Sequence, residues 1–521
     1  MWPRPHLQPI IPMCKSCAIS AKPVQNSHFK IMLFNQHLGT FFFKEKIRCG
    51  MDSTEKYVES ELIEKPGTEA EEPVVSITKG NIRKAVWGLA WPVLVTNILM
   101  TITGLMNAAF VGRLGYREAM AAVGLSEQIL MVIFSVVMSV AVGTTALVAR
   151  FTGAGERQQA EEAARQSLWL SLCAAAVAMV PLIGLAVPLL RIMGASGLTL
   201  GLSSTYLRIV TVTMPLFFPM IVMGAIFRGL GDTRTPMRIM AWLNVLAVAL
   251  DYVLILGPGP FPRLGLVGAA ISSNIARIFG FTASVWYLAR SPLKGCLRLN
   301  VAPSWSWFRR ILAIGIPSAF QAFLRTGGSM VFVGILGRLP DSSAAIAALT
   351  IGLRTEAVSF MPGLAFSAAA TSMVGQNLGA KQPKRAESSG WQCVRQALAF
   401  MLPIACAYFF LGPHIAAIFT SDPKVVDLTA SYLRANALGQ PGLAFGMVLS
   451  GALQGAGETQ IPAWVTLITM WGVRLPAAHL VTLILGYGAV GAWWTMTASS
   501  LLYGAIIAAV YKRGKWKTKE V

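Results

Sequence analysis

The sequence predicts an all-α membrane protein: twelve transmembrane helices in two six-helix lobes, related by a pseudo-two-fold axis along the membrane normal. Three observations carry this. Of 521 residues 55% are apolar and only 13% charged, too apolar a mixture to be surrounded by water. The apolar residues gather into runs of roughly 20 to 25, the length a helix needs to cross a hydrocarbon core of about 30 Å. The second half of the chain repeats the first.

In order, the expected spans cover residues 87–110, 121–147, 167–190, 204–227, 236–257 and 266–289, then 311–336, 344–373, 391–411, 431–453, 462–484 and 488–511. "FVGRLG" follows the first, "GAGERQQAEEA" the second and "FRGLGDTRTPM" the fourth. "LQGAGETQIP" (Leu453 to Pro462) repeats the glycines, acid, threonine and proline of "FRGLGDTRTP" (Phe227 to Pro236). With a shift of 226, Gly153 and Ala154 match Gly379 and Ala380, and Pro215 matches Pro441; with 225, Pro92 matches Pro317. Each copy holds an even number of spans, so both lie the same way up and form two facing bundles. Glycines let the repeated junction turn tightly, and proline is accepted in the first turn of the next helix. The plainer reading of Asp232 and Glu458 is a well-made turn without chemistry.

The net charge of +21 could suggest a nucleic-acid partner. Its placement argues otherwise: segments on the side of the N-terminus carry about 23 Lys and Arg near the spans, against about 8 on the other side. Both termini are therefore expected in the cytoplasm of a plasma (inner) membrane protein, together with the loop holding Arg290, Lys294 and Arg298. The division read from the sequence is a disordered tail over 1–80, lobes over 81–295 and 296–511, and a basic cytoplasmic tail, 512–521. Met51 offers an alternative start, and residues 1–50 are expected to be dispensable. A transit peptide fits less well, Ser and Arg being few. Seven cysteines are too scattered for a framework, and "CKSC" at Cys14 to Cys17 lacks a second pair for zinc.

No Ser, His and acid set, no paired metal ligands and no phosphate-binding GxxxxGK[ST] loop occurs, so neither an enzyme nor an ATP-driven machine is expected. Function is sought in polar residues inside spans, each charge there costing about 2.5–3.5 kcal/mol. In the fifth span Asn244, Ala247 and Asp251 share a stripe at i, i+3 and i+7. The sixth adds Ser273, Asn274 and Arg277, and an arginine facing Asp251 would offset the burial cost of both. Gln321 and Arg325 share a face of the seventh span, Arg354 and Glu356 lie in the eighth, and Arg474 with His479 in the eleventh. These arginines either pair with Glu356, Glu127 or helix ends, or receive an anionic or zwitterionic substrate.

From about residue 80 to 511 the chain resembles the multidrug and toxic compound extrusion (MATE) family, in its DinF-like branch. The motifs quoted above carry the resemblance, with "GLRTEAVSFMPG" in the eighth span and "VGQNLGAKQPKRAE" after it. The resemblance implies an antiporter exporting organic compounds in exchange for protons or sodium, with no cofactor, working as a monomer in the lipid bilayer. It puts Asp251 at the ion-binding aspartate of the N-terminal lobe, where sodium is the one metal considered, and Ser273 at a hydroxyl lining that site. The chain departs from the family pattern at Asn107, usually aspartate, at Ala247, usually asparagine, and at Arg325, where some relatives have glutamate. An amide cannot bind and release a proton, so coupling would rest mainly on Asp251. The alternative is a lipid-linked saccharide flippase of the same superfamily, opening laterally between the first and eighth spans along a basic groove.

Overall fold

In the computed structural model, residues 77–115, 117–258, 261–298 and 302–519 are described. The readings made for the tail up to residue 76, including Cys14, Cys17 and Met51, lie outside them. The first half contributes α1 (Ile82–Gly112), α2 (Arg117–Ala154), α3 (Arg157–Gly184), α4 (Ala186–Ile192), α5 (Gly197–Val212), α6 (Met214–Leu230), α7 (Arg234–Leu256) and α8 (Gly265–Ala289). The second contributes α9 (Trp305–Leu336), α10 (Ser342–Gly379), α11 (Pro383–Ala417), α12 (Pro423–Gly455), α13 (Gln460–Thr466), α14 (Leu475–His479) and α15 (Gly488–Arg513).

Ten stretches among the described residues are long and apolar enough to cross a membrane, and the pair α5–α6 supplies an eleventh. The continuous helix α12 contains the remaining predicted run. Among the described residues each of the twelve expected runs thus falls on helix, but two are not plain helices. The fourth is bent by 57° between Val212 and Met214, just before Pro215, which sits in the first turn of the new helix, where its missing amide hydrogen costs nothing. The eleventh winds as a π-helix over Leu467–Arg474 and Leu480–Ile484, on either side of α14.

The repeated junction is a pair of matched caps. Gly231 ends α6 in the left-handed region at φ 86°, and Asp232 Oδ1 accepts from the Arg234 and Thr235 amides at the start of α7. In the second copy Gly457 lies at φ 80° and Glu458 Oε1 accepts from the Ile461 amide at 3.3 Å. These acids cap helices, as the plainer reading had it.

The halves exchange their first helices at one end. Val86 and Leu89 of α1 are buried in a cluster made by α10, α11, α12 and α15, while Phe308, Ile311 and Ile314 of α9 are buried among α2, α3 and α6. With the 225-residue shift Ile311 is the counterpart of Val86, so the crossing obeys the pseudo-two-fold. At the same end α2 and α10, 38 residues each and about 57 Å long, meet backbone to backbone. A Cβ on Gly153 would lie 2.0 Å from the Gln376 carbonyl oxygen, and one on Gly379 would lie 1.9 Å from that of Arg150. Ile77 and Lys519, the first and last described residues, also lie at this end.

Two expected boundaries move. Ile77 is 2% exposed within the α10–α12 cluster, and Arg385 Nη2 donates to the Ile77 and Gly80 carbonyls at 3.2 and 3.0 Å, so ordered chain precedes residue 81. After α15 the chain forms a 3₁₀ turn, Lys515–Thr518, whose Trp516 is buried against Tyr511. Lys519 Nζ binds Glu458 at 2.7 Å, and its carbonyl accepts from Arg150 of α2 at 3.1 Å. The basic tail thus joins the two halves.

Candidate functional site

α7 buries one stripe, Asn244, Ala247, Asp251 and Ile255, against α1 and α8. Asp251 is 2% exposed. Asn107 Nδ2 of α1 donates to its Oδ2 at 2.8 Å, and the Ser272 hydroxyl of α8 donates to Oδ1. Glycine makes the second bond possible: a Cβ on Gly268 would lie 2.2 Å from the Leu254 carbonyl oxygen, so α8 comes close to α7 one turn from Ser272. One carboxylate thereby ties together three helices through neutral donors.

Two expectations at this site are corrected. The hydroxyl on Asp251 belongs to Ser272, not Ser273. One residue is about 100° of helix, and the buried stripe of α8 runs through Gly268, Ser272, Ala276, Gly280 and Ser284. That row of small residues at every fourth position was the signal in the sequence. Arg277 does not face Asp251 either. Its Nη1 donates to the Val210 carbonyl at 2.9 Å and lies 3.4 Å from Thr213 Oγ1, with the guanidinium 4.5 Å from the centre of the Phe217 ring. Asn274 works beside it, donating to the Ile209 carbonyl at 2.7 Å and accepting from Thr213 Oγ1 at 2.7 Å. The break before Pro215 strips the last carbonyls of α5 of intrahelical donors, and in hydrocarbon they need others. Asn274 and Arg277 supply them.

This assigns Arg277 a measurable structural role. Arg277→Leu is expected to lower stability by about 2–3 kcal/mol, read as a lower melting temperature of the detergent-solubilised protein. Because Arg277 and Asp251 do not touch, the loss should add to that of Asp251→Asn in the double variant. A double variant whose change departs from the sum of the two single changes by more than about 0.5 kcal/mol would show that the two residues are coupled after all.

Asn244 lies two turns from Asp251 on the same stripe, its Nδ2 buried and without a hydrogen-bond partner among the described residues. In the second half the predicted residues do not gather at one point, although the charges of Glu356 and Arg474 interact. Gln321 Nε2 binds Tyr503 Oη at 2.9 Å and Thr466 Oγ1 at 3.1 Å, linking α9 to α15 and α13. Glu356 Oε2 accepts from Tyr432 Oη at 2.5 Å beside a cavity of about 20 Å3, also lined by Asn436, Gln440, Trp493 and Ser500. Arg474 donates to Ser499 and Ser500 of α15 at 2.7 and 2.9 Å. Arg325 and Arg354 are exposed, and neither forms a hydrogen bond or ion pair among the described residues. The expected pairing with Glu356, Glu127 or helix ends does not occur for these two.

Comparison with known proteins places this geometry. The MatE family model matches residues 92–253 and again 317–480. A probable multidrug resistance protein NorM of Thermotoga maritima is 30% identical over 445 residues, covering 84% of this chain and 94% of that protein. The multidrug resistance protein PmpM of Pseudomonas aeruginosa is 27% identical over 416 residues, covering 78% and 86%. Among solved structures, one described as the outward-facing conformation of a multidrug resistance MATE family transporter of the MOP superfamily superposes with a TM-score of 0.79. It is 23% identical and covers 87% of this chain and 100% of that one. Two matched copies and a full-length relative establish that this chain is a multi-pass membrane transporter of the MATE family.

Proposed function

We propose that the protein exports organic compounds from the cytoplasm across the plasma (inner) membrane by alternating access, in exchange for protons or sodium moving through Asp251. One observation carries the reading: a carboxylate 2% exposed inside a membrane lobe, held by an amide and a hydroxyl and, among the described residues, by no cationic side chain. Such a group costs free energy in the bilayer, and a proton or sodium ion removes that cost. Ionised, it takes the hydrogens of Asn107 and Ser272. When a proton sits on Oδ2, Asn107 has to turn its amide so that Oδ1 accepts. When sodium sits there, Asn107 Oδ1, the Ser272 hydroxyl and the carboxylate offer oxygen ligands.

α1 conveys the change. Its far end carries Asn107, whereas Trp87 near its start stacks on Phe400 of α11, ring centres 5.4 Å apart. A helix fixed to Asp251 in one lobe and to an aromatic cluster in the other links ion occupancy to the angle between lobes. The membrane potential supplies the drive, about 2.3 kcal/mol per charge per 100 mV. Both termini face the cytoplasm in this scheme, and a single chain needs no cofactor. The saccharide flippase reading gains no support from the multidrug resistance relatives.

Inverted membrane vesicles test this with ethidium and carboxyfluorescein as dyes and the proton and sodium gradients imposed separately. At least one dye should accumulate under one gradient and leak back when it is collapsed. Accumulation that ignores both gradients removes antiport.

A further inference from the structure

Arg325 and Arg354 lie at one level. Arg325 comes eleven residues before Leu336, the end of α9, and Arg354 twelve after Ser342, the start of the antiparallel α10. Both are therefore about 17 Å from the helix ends opposite the Gly153–Gly379 crossing. Their direction follows from helical phase. Gly352 and Glu356 turn to Tyr432 within the second half, so Arg354, half a turn away from each, points the other way. Gly379, whose face meets α2, lies 25 residues beyond Arg354, nearly seven whole turns. Arg325 is 14 residues, close to four turns, from Ile311, which packs on Gly143 of α2. Arg354 extends the face that α10 turns to α2, and Arg325 lies about 40° from each of two neighbouring faces of α9, that of Ile311 towards α2 and that of Gln321 towards α13 and α15.

The exposed side chains of α9 fall into two groups of different character. Ile316, Phe320, Phe323 and Met330 make an apolar exposed stripe suited to lipid. Ser318, Ala322, Arg325 and Ser329 make a second row, of small residues and one arginine, exposed at Arg325 and Ser329 and half-buried at Ser318 and Ala322. An exposed guanidinium in a span belongs in a water-filled cleft rather than in hydrocarbon. The repeat supplies the contrast: Gln128 precedes Gly153 by the same 25 residues as Arg354 precedes Gly379, and Met100 stands where the second copy has Arg325. Glu356 faces away, and Glu127, beside Gln128 on α2, forms no ion pair with either arginine among the described residues.

We infer that the cleft between the lobes binds amphipathic organic anions, whose carboxylate or phosphate is clasped by Arg325 and Arg354. A planar guanidinium fork matches two oxygens of such a group, and two forks without protein partners are available to it. Exposed Val358, one turn from Arg354, gives the apolar body a surface. The unbalanced charge disfavours organic cations at the same place. This deepens the transport reading and rests on it for the cleft, though binding can be measured without transport.

The test is fluorescence polarisation of carboxyfluorescein on the purified protein, with ethidium as the cationic probe. The parent is expected to bind carboxyfluorescein. Arg325→Gln and Arg354→Gln should each weaken that binding about tenfold, the size of one charge-assisted contact, while the Lys variants keep part of it. Ethidium binding should not fall in any variant. No carboxyfluorescein binding by the parent, full binding by both Gln variants, or loss of ethidium binding in them overturns the inference. Arginine-dependent binding without gradient-driven accumulation in vesicles would sustain the anion site and remove antiport, so the two failures are distinguishable.

Discussion

A protein carrying Asp251→Asn is expected to fold and insert, yet to lose gradient-driven efflux by about a hundredfold or more, a barrier change of roughly 3 kcal/mol. The substitution keeps the shape and one oxygen, and removes the only group at this junction of α1, α7 and α8 that can hold a proton or charge-balance sodium. Asn107→Asp should be tolerated, because it adds a carboxylate beside an existing one without removing an oxygen. Ser272→Ala should weaken coupling while Ser273→Ala leaves it unchanged, since only the first hydroxyl reaches Asp251. Efflux assays in vesicles under each gradient read all four. Undiminished efflux by Asp251→Asn would exclude it as the coupling site, and a larger defect for Ser273→Ala than for Ser272→Ala would reject the geometry of α8.

What the sequence disclosed follows from the physics of each feature. Apolar runs and the duplicated junctions reflect requirements that act along the chain, span length and tight capping, and they specify the spans and the repeat. Asp251 was legible because a charged group inside a span is rare, and Asn107 because the family resemblance marks that position. Ser272 against Ser273 turned on helical phase, and the small residues at 268, 272, 276, 280 and 284 held that phase. Arg277 was misjudged for another reason. Reading it as a partner for Asp251 treats the arginine as a charge seeking a charge, whereas its partner is a backbone carbonyl orphaned by the bend before Pro215. The matching Pro441 lies inside the unbroken α12, so the same residue in the two copies has different consequences. Only packing decides between them.

Alanine at Gly153 or Gly379 is expected to force the lobes apart at the end where α2 crosses α10. Real Cβ atoms essentially never come within 3.0 Å of another heavy atom, and these would be 2.0 and 1.9 Å from the carbonyl oxygens of Gln376 and Arg150. Neither oxygen belongs to a side chain that could swing aside; each is fixed in the backbone of the opposing helix, so only movement of α2 against α10 makes room. Overpacking of this kind costs about 1–3 kcal/mol, which shifts the ratio of closed to open states at this end by roughly 5- to 150-fold. The two glycines meet at one crossing, so the double variant should cost little more than either single one, because the first separation already admits the second methyl. Spin labels at Glu156→Cys and Lys381→Cys, on the exposed turns just beyond α2 and α10, report the separation. Each alanine variant should lengthen the label distance and slow transport, while Gly124→Ala, whose added Cβ meets nothing within 4 Å, should change neither. An unchanged distance together with full transport in Gly153→Ala would mean that this crossing does not hold the closed state.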